Sequence, residues 1–424
     1  MRYLRRTRRA VLVTTAFAVV TAAAVASSAS AMTAAAGNSG AAATRAAGCP
    51  AYNAAVLNPR PIPASIDRAV AKPALSALPS TSASLGTKQS FRPVWYTALT
   101  VTPAQQKAIC AKHLTGVYMD WAGVPFNQAI RWGITDVFKA LGIKLLRITN
   151  WNLSTSAFPG NLAAVLPLHP NIILTGGPVS PEQFGAIMQP AISQGVTVAT
   201  WGLGAKTLNT GSGQPLKAVV GYDFYHLGTE LADAIHKAYP NGANFGYIHW
   251  VNNALAILNR EQGMLDELKK FPNIHIITNG KPSPTNPASG YTDPNGSLAF
   301  TLAFLKAHPT VNLLFAPWED NAAIGEAAAV KAAGMQGKVH IATMDLSTEG
   351  ASQLVHNGTI SIDMGEDMYD GGRSMALSAA LSEIGAKIHP YVVVPVWPST
   401  SANVLDSWNF MHGPDMPCGS SCKK

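Results

Sequence analysis

The chain has 424 residues, of which 47% are hydrophobic and 13% are charged, so it is long enough for two or three domains and too apolar to be disordered as a whole. Residues 1–31 hold five Arg and no acidic residue, which leaves 26 Lys and Arg against 23 Asp and Glu in the rest of the chain. A net charge of +3 on that remainder excludes a strongly basic nucleic-acid-binding protein.

Residues 1–31 have the pattern of a secretory signal peptide. A positive region is followed by an apolar run over residues 10–26 and by the small-residue cleavage site Ala29-Ser30-Ala31. The apolar run is too short for a transmembrane helix. Residues 7–12 are similar to a twin-arginine export motif, with a plain basic region as the alternative. We therefore expect an exported protein, either secreted or held at the cell surface or in the periplasm.

An N-terminal extension over residues 32–112 follows. It begins with an Ala-, Gly-, Ser- and Thr-rich spacer up to residue 48 and continues as a proline-rich stretch over residues 49–93. We expect that stretch to form an irregular arm on the core, with partial disorder as the alternative. The sequence Ala46-Ala47-Gly48-Cys49 is similar to a lipoprotein cleavage box, but it lies more than twenty residues beyond the apolar run. A lipid anchor at Cys49 is therefore the weaker alternative.

An even number of cysteines in an exported chain predicts two disulfides. The four cysteines, which allow three pairings, are Cys49, Cys110, Cys418 and Cys422. We expect Cys418 and Cys422 to close a small loop in a tail over residues 413–424, and Cys49 and Cys110 to tether the arm. Reduced thiols are the alternative.

From residue 103 onward, helical segments alternate with short apolar strands. Helices are predicted over residues 103–113, 125–141, 181–194, 225–239, 255–270, 295–308, 322–333 and 368–384. Strands are predicted over residues 116–121, 143–149, 171–175, 196–200, 218–222, 245–250, 274–278, 311–316, 338–344, 359–364 and 392–394. Gly142, Gly195 and Gly334 follow three of these helices as C-terminal stops. The alternation predicts an α/β fold with doubly wound parallel sheets.

Acidic residues follow three neighbouring strands of the second half. Glu319 and Asp320 come after strand 311–316, Asp345 after strand 338–344, and Glu366 after strand 359–364. In parallel sheets, ligands bind in the crevice beyond the carboxyl ends of the strands. We therefore expect these carboxylates to converge at a binding site.

The same stretch carries a family resemblance. Phe315-Ala316, Glu319-Asp320, Ala323-Ile324-Gly325, Met344-Asp345 and Glu366-Asp367-Met368 follow the order and spacing of motifs in the type I periplasmic binding proteins, in particular the ribose- or sugar-binding branch. One extra residue intervenes before Glu319. The resemblance extends over residues 114–405.

The resemblance implies two doubly wound, Rossmann-like lobes with a ligand cleft between them and a hinge of three segments, near Asp223, Glu366 and Pro395. The implied N-terminal lobe comprises residues 113–223 and 367–394. The implied C-terminal lobe comprises residues 224–366 and 395–412.

The resemblance also implies the ligand-binding residues. Phe126 and Tyr291 match aromatic positions of the family, with core packing as the alternative for each ring. Arg260 and Asp345 match its arginine and its strand-end aspartate, with a solvated helix arginine and a helix N-cap as the alternatives.

Other site positions depart from the family pattern. Glu319 and Glu366 stand where the family has Asn and Gln. Trp201 follows strand 196–200, where the family often has an Asp-Arg pair, and Trp121 follows the first strand. Arg260 against Glu319, Asp345 and Glu366 leaves a formal charge of −2, which a ligand could satisfy with many hydroxyl donors or with an amine.

The resulting interpretation is a monomeric solute-binding protein, without metal or cofactor, that captures a small polar ligand outside the cytoplasm. We expect the ligand to be a sugar or sugar derivative that passes to the permease of an ABC importer. A sensor that presents ligand to a membrane receptor, and a protein that binds an amine-bearing ligand, are alternatives.

A hydrolase that uses Glu319 and Glu366 as a carboxylate pair is less favoured. The sequence lacks a Gly-x-Ser-x-Gly elbow, a His-Glu-x-x-His motif and a phosphate loop. A DNA-binding regulator of the lactose-repressor type shares the fold, but an export signal occupies the place of its helix-turn-helix.

Overall fold

Two mainly parallel β-sheets, each flanked by helices, organise the chain. The computed structural model describes residues 48–73, 75, 93–177, 179, 181–202, 216–251, 255–293, 295–413, 418 and 422. The predicted signal peptide, its twin-arginine motif and the spacer up to residue 47 lie outside the described residues. Among the residues that are described, no helix combines the length and apolarity needed to cross a membrane.

The helices of the described chain are α1 (Ala54–Leu57), α2 (Arg68–Ala71), α3 (Pro103–Cys110), α4 (Pro125–Leu141), α5 (Phe158–Val165), α6 (Pro181–Ser193), α7 (Phe224–Ala238), α8 (Leu255–Leu268), α9 (Gly296–Ala307), α10 (Ile324–Ala332), α11 (Thr348–Val355), α12 (Met368–Glu383) and α13 (Val404–His412). The strands are β1 (Val94–Trp95), β2 (Thr115–Asp120), β3 (Lys144–Asn150), β4 (Ile172–Gly176), β5 (Thr197–Trp201), β6 (Leu216–Gly221), β7 (Ala243–Tyr247), β8 (His249–Trp250), β9 (Ile274–Ile277), β10 (Gly290–Tyr291), β11 (Leu313–Phe315), β12 (His340–Met344), β13 (Ile360–Glu366), β14 (Tyr391–Val393) and β15 (Val396–Ser399).

The sheet of the N-terminal lobe has the order β1-β14-β6-β5-β4-β2-β3 in the described residues. Every pairing in it is parallel. The central strands β4 and β5 are buried along their whole length, as expected for a parallel sheet that has helices on both faces. Helix α4 ends before Gly142, whose φ of 71° is a left-handed conformation that favours glycine.

The sheet of the C-terminal lobe has the order β15-β13-β12-β11-β7-β9 over the same described residues. Its pairings are parallel except for β13 with the edge strand β15, which is antiparallel. A short parallel pair, β8 with β10, extends this lobe. The predicted fold class of two doubly wound lobes is therefore confirmed.

The chain passes between the two sheets in three places. It leaves the first sheet after β6 and enters α7, returns between β13 and α12, and crosses again between β14 and β15. The carboxyl ends of β6 and β13 therefore lie where the lobes meet. Side chains that follow these strands are placed to contact both lobes.

Glycine pairs allow helices to cross closely in each lobe. A Cβ atom on Gly228 of α7 would lie 1.9 Å from the carbonyl oxygen of Arg260 on α8, and one on Gly263 would lie 2.1 Å from the carbonyl oxygen of Tyr225. Gly133 of α4 and Gly372 of α12 make the equivalent crossing in the N-terminal lobe. The first crossing matters for the site because it sets the position of the α8 backbone at Arg260.

Beyond residue 102, the structure contains elements that periodicity did not predict, namely α5, α11, α13, β10 and β15. Helix α5 begins with Phe158-Pro159-Gly160, which is typical of a turn as well as of a helix start. Strand β15 is four residues long with a proline at its third position, so it has little strand signal of its own. It forms because it pairs with β13 at the sheet edge.

The arm, defined here as residues 48–73 and 93–102, is more ordered than the irregular stretch that we predicted. It contains α1 and α2, and its strand β1 adds to the first sheet beside β14. The sulfur atoms of Cys49 and Cys110 are at disulfide distance, with Cα atoms 5.8 Å apart. Those of Cys418 and Cys422 are also close, with Cα atoms 5.5 Å apart.

We predict that peptide mapping without reduction will find the links Cys49–Cys110 and Cys418–Cys422 and no free thiol. The first link closes a loop with a sequence separation of 61 residues. The chain-entropy model assigns about 4 kcal/mol of stability to a loop of this size. A diacylglycerol group on Cys49 would contradict the prediction, because a lipidated cysteine cannot form a disulfide.

We predict that Gly228→Ala lowers the free energy of unfolding by about 1–3 kcal/mol, because the added methyl group clashes with the α8 backbone. Gly160→Ala on α5 is the matched control, since a Cβ atom there meets nothing within 4 Å. It should be neutral or stabilising by up to about 1 kcal/mol. Denaturant titration measures both, and equal effects would contradict the close crossing.

Candidate functional site

A buried ion pair lies at the carboxyl edge of the C-terminal sheet. Arg260 of α8 donates from Nη2 to Asp345 Oδ1 at 2.8 Å and from Nη1 to Asp345 Oδ2 at 3.2 Å. Both residues are 4% exposed. Burial acts to lower the pKa of Arg260, but the charge of Asp345 more than reverses this effect and the pKa is raised. Arg260 and Asp345 therefore form a bidentate ion pair.

The backbone that carries Asp345 has an unusual conformation. Asp345 has a φ of 95° and Leu346 a φ of 29°, both in the region that non-glycine residues rarely adopt. The Asp345 amide donates to Met364 O at 2.9 Å, and the Leu346 amide donates to Asp363 Oδ1 at 3.1 Å. Strained residues of this kind cluster at ligand sites and persist only where surrounding contacts hold them.

Arg260 also connects the two lobes. Its Nη2 donates to the hydroxyl of Tyr222, and its guanidinium carbon lies 5.7 Å from the centre of the Tyr222 ring. Tyr222 directly follows β6 of the N-terminal sheet, whereas Asp345 follows β12 of the C-terminal sheet. The ion pair therefore lies where the two lobes face each other.

Aromatic rings from the N-terminal lobe continue from Tyr222. Trp201, at the end of β5, lies 5.8 Å from Tyr222 between ring centroids, and Phe126 in the first turn of α4 lies 6.2 Å from Trp201. Trp121, which follows β2, lies 6.5 Å from Phe126. Three predicted rings are thus brought together at the carboxyl ends of their strands, and Tyr222 is a fourth ring that the sequence reading missed.

Asp120 holds the loop that presents Trp121 and Phe126. One of its oxygens accepts from the Trp121 amide at 2.8 Å and from Asn127 Nδ2 at 2.6 Å, and the other accepts from Arg131 at 2.7 Å. Asn127 is buried and lies in the first turn of α4. Its amide therefore supports the loop from below.

Glu366 is a buried carboxyl beside the ion pair. It ends β13 and is fully buried, and within the described residues neither of its oxygens accepts a hydrogen bond. Burial first, and then the charge of Asp345, raises the pKa of Glu366 well above its ordinary range. Glu366 therefore lies beside the ion pair without a hydrogen-bond partner among the described residues.

Glu319 is placed differently from the sequence expectation. Its carboxylate accepts from the amide and hydroxyl of Ser347 and from the Gly350 amide, the last at 2.7 Å. These amides belong to the first turn of α11, so Glu319 caps that helix. Burial and the charge of Glu319 raise the pKa of Asp363 well above its ordinary range. Burial also raises the pKa of Glu319, although the hydrogen bonds from Asp363, Ser347 and Gly350 oppose this rise. The oxygens of Glu319 are therefore occupied within the protein.

Tyr291 is buried inside the C-terminal lobe. Its ring lies 6.5 Å from Phe300, and burial followed by the charge of Glu326 raises the pKa of its hydroxyl. Its neighbours Phe300 and Glu326 are different from the groups that contact Arg260 and Asp345.

Two tryptophans that the sequence reading missed stack at the same edge of the C-terminal sheet. Trp250 at the end of β8 and Trp318 after β11 have ring centroids 5.1 Å apart and an interplanar angle of 27°, and both are half-buried. Trp318 immediately precedes Glu319, where the sequence has one residue more than the family spacing.

A π-helical turn spans Glu319–Ala323, directly after Trp318. The Trp318 carbonyl accepts from the amides of Ala322 and Ala323 at 3.0 and 3.2 Å. Such π-turns inside helices occur frequently at functional sites. The extra residue before Glu319 was the signal in the sequence that could have drawn attention to Trp318 as a site residue.

Asp320 adds a carboxyl close to the ion pair. Burial, followed by the charges of Glu319 and Asp345, raises its pKa to about 7. Its Oδ2 atom has no hydrogen-bond partner in the part of the chain that the structure describes. In the same part of the chain, no group of His, Cys, Asp and Glu side chains could hold a metal ion.

Comparisons with known proteins agree with this geometry. The model of the family described as "Periplasmic binding protein domain" matches residues 115–385. A search of curated proteins found no match. Solved structures match at low sequence identity, which shows similarity of fold alone.

Three of these structures are ABC transporter solute-binding proteins. One, from Agrobacterium vitis with bound alpha-D-tagatopyranose, has a TM-score of 0.61 and 18% identity, covering 71% of this chain and 100% of that chain. A second, from Burkholderia graminis with D-arabinose, has a TM-score of 0.57 and 18% identity, covering 68% and 96% of the two chains. A third, from Actinobacillus succinogenes with D-allose, has a TM-score of 0.57 and 20% identity, covering 69% and 99%.

We predict that Asp320→Asn changes how the stability of the ligand-free protein depends on pH. The pKa of Asp320 is raised to about 7 in the folded protein and is about 4 in an unfolded chain. The carboxyl therefore favours the folded state below about pH 4, and this contribution is lost as the pH rises through about 7. The variant should gain on the order of 2 kcal/mol relative to wild type between pH 5 and pH 8.

Denaturant titrations at both pH values provide the measurement for Asp320→Asn. Asp293→Asn is the control, because it makes the same substitution at an exposed carboxylate. Parallel pH profiles for wild type and Asp320→Asn would show that this carboxyl is not held in a buried, acidic environment.

Proposed function

The chain belongs to the periplasmic binding protein domain family, and from this premise we propose that it captures a sugar or sugar derivative outside the cytoplasm and delivers it to an ABC importer. The family consists of solute-binding proteins, which are not enzymes. The hydrolase alternative therefore does not apply. Export by the signal peptide over residues 1–31, a permease partner and a monomeric state are parts of the same proposal.

One observation carries the proposal for the ligand. The rings of Phe126, Trp201 and Tyr222 from one lobe lead directly to the Arg260–Asp345 pair of the other lobe. Flat rings cover the C–H faces of a sugar, and charged side chains form strong hydrogen bonds with its hydroxyl groups. A small polar ligand would therefore bind between the aromatic rings of the N-terminal lobe and the Arg260–Asp345 pair of the C-terminal lobe.

We assign ligand contact to one group of the residues that were predicted. This group comprises Trp121, Phe126, Trp201, Arg260, Asp345 and Glu366, to which we add Tyr222, Trp318 and Asp320. Glu319 is assigned a positioning role, since its oxygens accept from Ser347 and Gly350. Tyr291 supports the interior of its lobe beside Phe300.

An amine-bearing ligand, such as an amino sugar, is the second candidate, and Glu366 is the observation that favours it. Its carboxyl lies beside Asp345 and accepts no hydrogen bond within the described residues. An ammonium group would form charge-assisted hydrogen bonds with both carboxylates. A neutral sugar would instead donate hydroxyl groups to them.

The ligand is best identified by mass spectrometry of small molecules released by denaturing the purified full chain. Binding is then measured by calorimetry with D-tagatose, D-arabinose, D-allose and D-glucosamine as probes, against wild type and Glu366→Gln. Glu349→Gln is the control, because it makes the same substitution at an exposed position.

We predict that Glu366→Gln weakens binding of an amine-bearing probe at least tenfold, or about 1.4 kcal/mol, because a charge-assisted hydrogen bond becomes a neutral one. A neutral sugar should lose much less affinity. If the released ligand binds wild type and Glu366→Gln equally well, Glu366 does not touch it. If no sugar-like molecule is released or bound, the proposed ligand class is wrong.

A further inference from the structure

The arm lies outside the residues that the family model matches, which begin at residue 115, yet it contacts both lobes. The family likeness therefore assigns it no role. Its contacts concentrate at the crossing between β13 and α12, which directly follows Glu366.

The arm is attached firmly to the N-terminal lobe. The sulfur atom of Cys49 is at disulfide distance from that of Cys110 in α3, and β1 is hydrogen-bonded in parallel to β14. Gln106 Nε2 of α3 also donates to Pro50 O at 2.9 Å. A covalent link and a sheet pairing at opposite ends make this attachment resistant to hinge motion.

The attachment to the C-terminal lobe is lighter. The carbonyl oxygen of Val70, in α2, lies 3.3 Å from His226 Nε2 of α7. Ser65 donates to Asp406 in α13. Apart from the contacts that Arg60 makes with α13, these are single hydrogen bonds, one half-buried and one exposed, and they can break when the lobes move apart.

Arg60 lies between these two sets of contacts and enters the hinge. Its Nη2 is 2.7 Å from Asp367 Oδ1, and its Nε is 2.9 Å from Asp370 Oδ2. Asp367 is the N-cap of α12 and Asp370 is in its first turn. Both carboxyl groups are fully buried. Burial and the charge of Asp370 raise the pKa of Asp367, and Arg60 opposes this rise, whereas Asp370 is also paired with Arg373.

The remaining donors and faces of Arg60 are also used. Nη1 donates to Asn409 O at 3.2 Å, and Nη2 donates to Phe410 O, both in α13. The guanidinium carbon lies 4.4 Å from the centre of the Tyr369 ring. The carbonyl oxygen of Arg60 accepts from the Tyr96 hydroxyl at 2.9 Å. Arg60 is thus fixed from both sides, by α12 and α13 at its head and by the arm at its backbone.

We propose that the arm is a strap across the hinge, and that Arg60 is the positioning residue that holds the crossing after Glu366 and biases the ligand-free lobes toward the closed arrangement. Hinge closure requires a few segment-terminal residues to absorb large changes of φ and ψ. Arg60 clamps two of the residues in such a segment. Opening the lobes must move the crossing against this clamp and stretch the arm between its attachments.

The functional consequence is pre-organisation of the site. A binding protein whose closed state is already populated loses less affinity to the cost of closure. The strap therefore increases the affinity for the ligand, and it keeps Glu366 beside Asp345. This consequence rests on the proposed function, but the conformational bias itself does not require a ligand.

The experiment measures distances between the lobes in the ligand-free full chain. Spin labels are placed at Lys139→Cys in α4 and Lys306→Cys in α9, which are exposed positions on opposite lobes, with the native cysteines kept unreduced. Pulsed electron paramagnetic resonance then gives the distance distribution. Wild type is compared with Arg60→Met, Arg60→Lys and, as a control on the same arm, Arg68→Met at an exposed position.

We expect Arg60→Met to raise the population of longer distances roughly threefold or more, because two buried carboxylates lose a partner. For Arg60→Lys, we expect a population of longer distances between those of Arg60→Met and wild type. A lysine keeps the positive charge, but its ammonium group lacks the planar arrangement of donors with which Arg60 reaches both Asp367 and Asp370. Arg68→Met should match wild type. An Arg60→Met protein that melts at a lower temperature but keeps the wild-type distances would show a structural role only and would overturn the proposal.

A second variant covers the case in which Arg60→Met does not fold. Ser65→Ala combined with His226→Ala removes the lighter attachments and leaves Arg60 in place. It should shift the distances in the same direction, and unchanged distances would overturn the strap. These outcomes do not depend on the class of ligand. If the variants open the lobes but no sugar binds, the proposal for the strap is supported and the proposal for the ligand is wrong.

Discussion

The buried Arg260–Asp345 ion pair is the interaction on which the rest of the site depends. Removing one partner of such a pair leaves an uncompensated charge, which costs about 3–5 kcal/mol. The pair can form only because the Gly228 and Gly263 crossing brings α8 against α7. Through the Tyr222 hydroxyl it also joins the C-terminal lobe to the aromatic residues of the N-terminal lobe. Arg260 therefore lies at the close crossing of α7 and α8 and also contacts residues from both lobes.

The carboxyl groups at the lobe boundary are stabilised in three different ways. Asp345 is balanced by Arg260, and Asp367 and Asp370 by Arg60 together with Arg373. A second group is held by amides, as in the cap that Glu319 makes on α11. Glu366 and Asp363 have raised pKa values because burial disfavours their charge. Burial likewise raises the pKa values of Asp367 and Asp320, and among these carboxyl groups Glu366 adjoins the ion pair.

The binding site and the arm meet in a single stretch of chain. Glu366 faces the ion pair, whereas Asp367 and Asp370, one and four residues later, face Arg60. Any motion that opens the lobes passes through this stretch. The π-helical turn over Glu319–Ala323 likewise begins with Glu319, whose carboxyl group caps α11, and directly follows Trp318. Local backbone features therefore couple the ligand-facing residues to the elements that move.

The sequence by itself determined the fold class, because alternating apolar strands and glycine-ended helices are local patterns that permit few topologies. It also placed Asp345 and Glu366 at the carboxyl ends of neighbouring strands, whereas Arg260 was linked to them only by the family resemblance. Only the tertiary structure decided which acid is free, since Glu319 and Glu366 have the same chemistry and differ in whether the α11 amides reach them. The same holds for Trp250 and Trp318, which stack across two strands far apart in the chain, and for Arg60, whose partners lie about 300 residues away. The periodicity of apolar residues predicts whether a segment forms a helix or a strand. The partners of a single side chain depend on contacts between segments that are distant in the sequence.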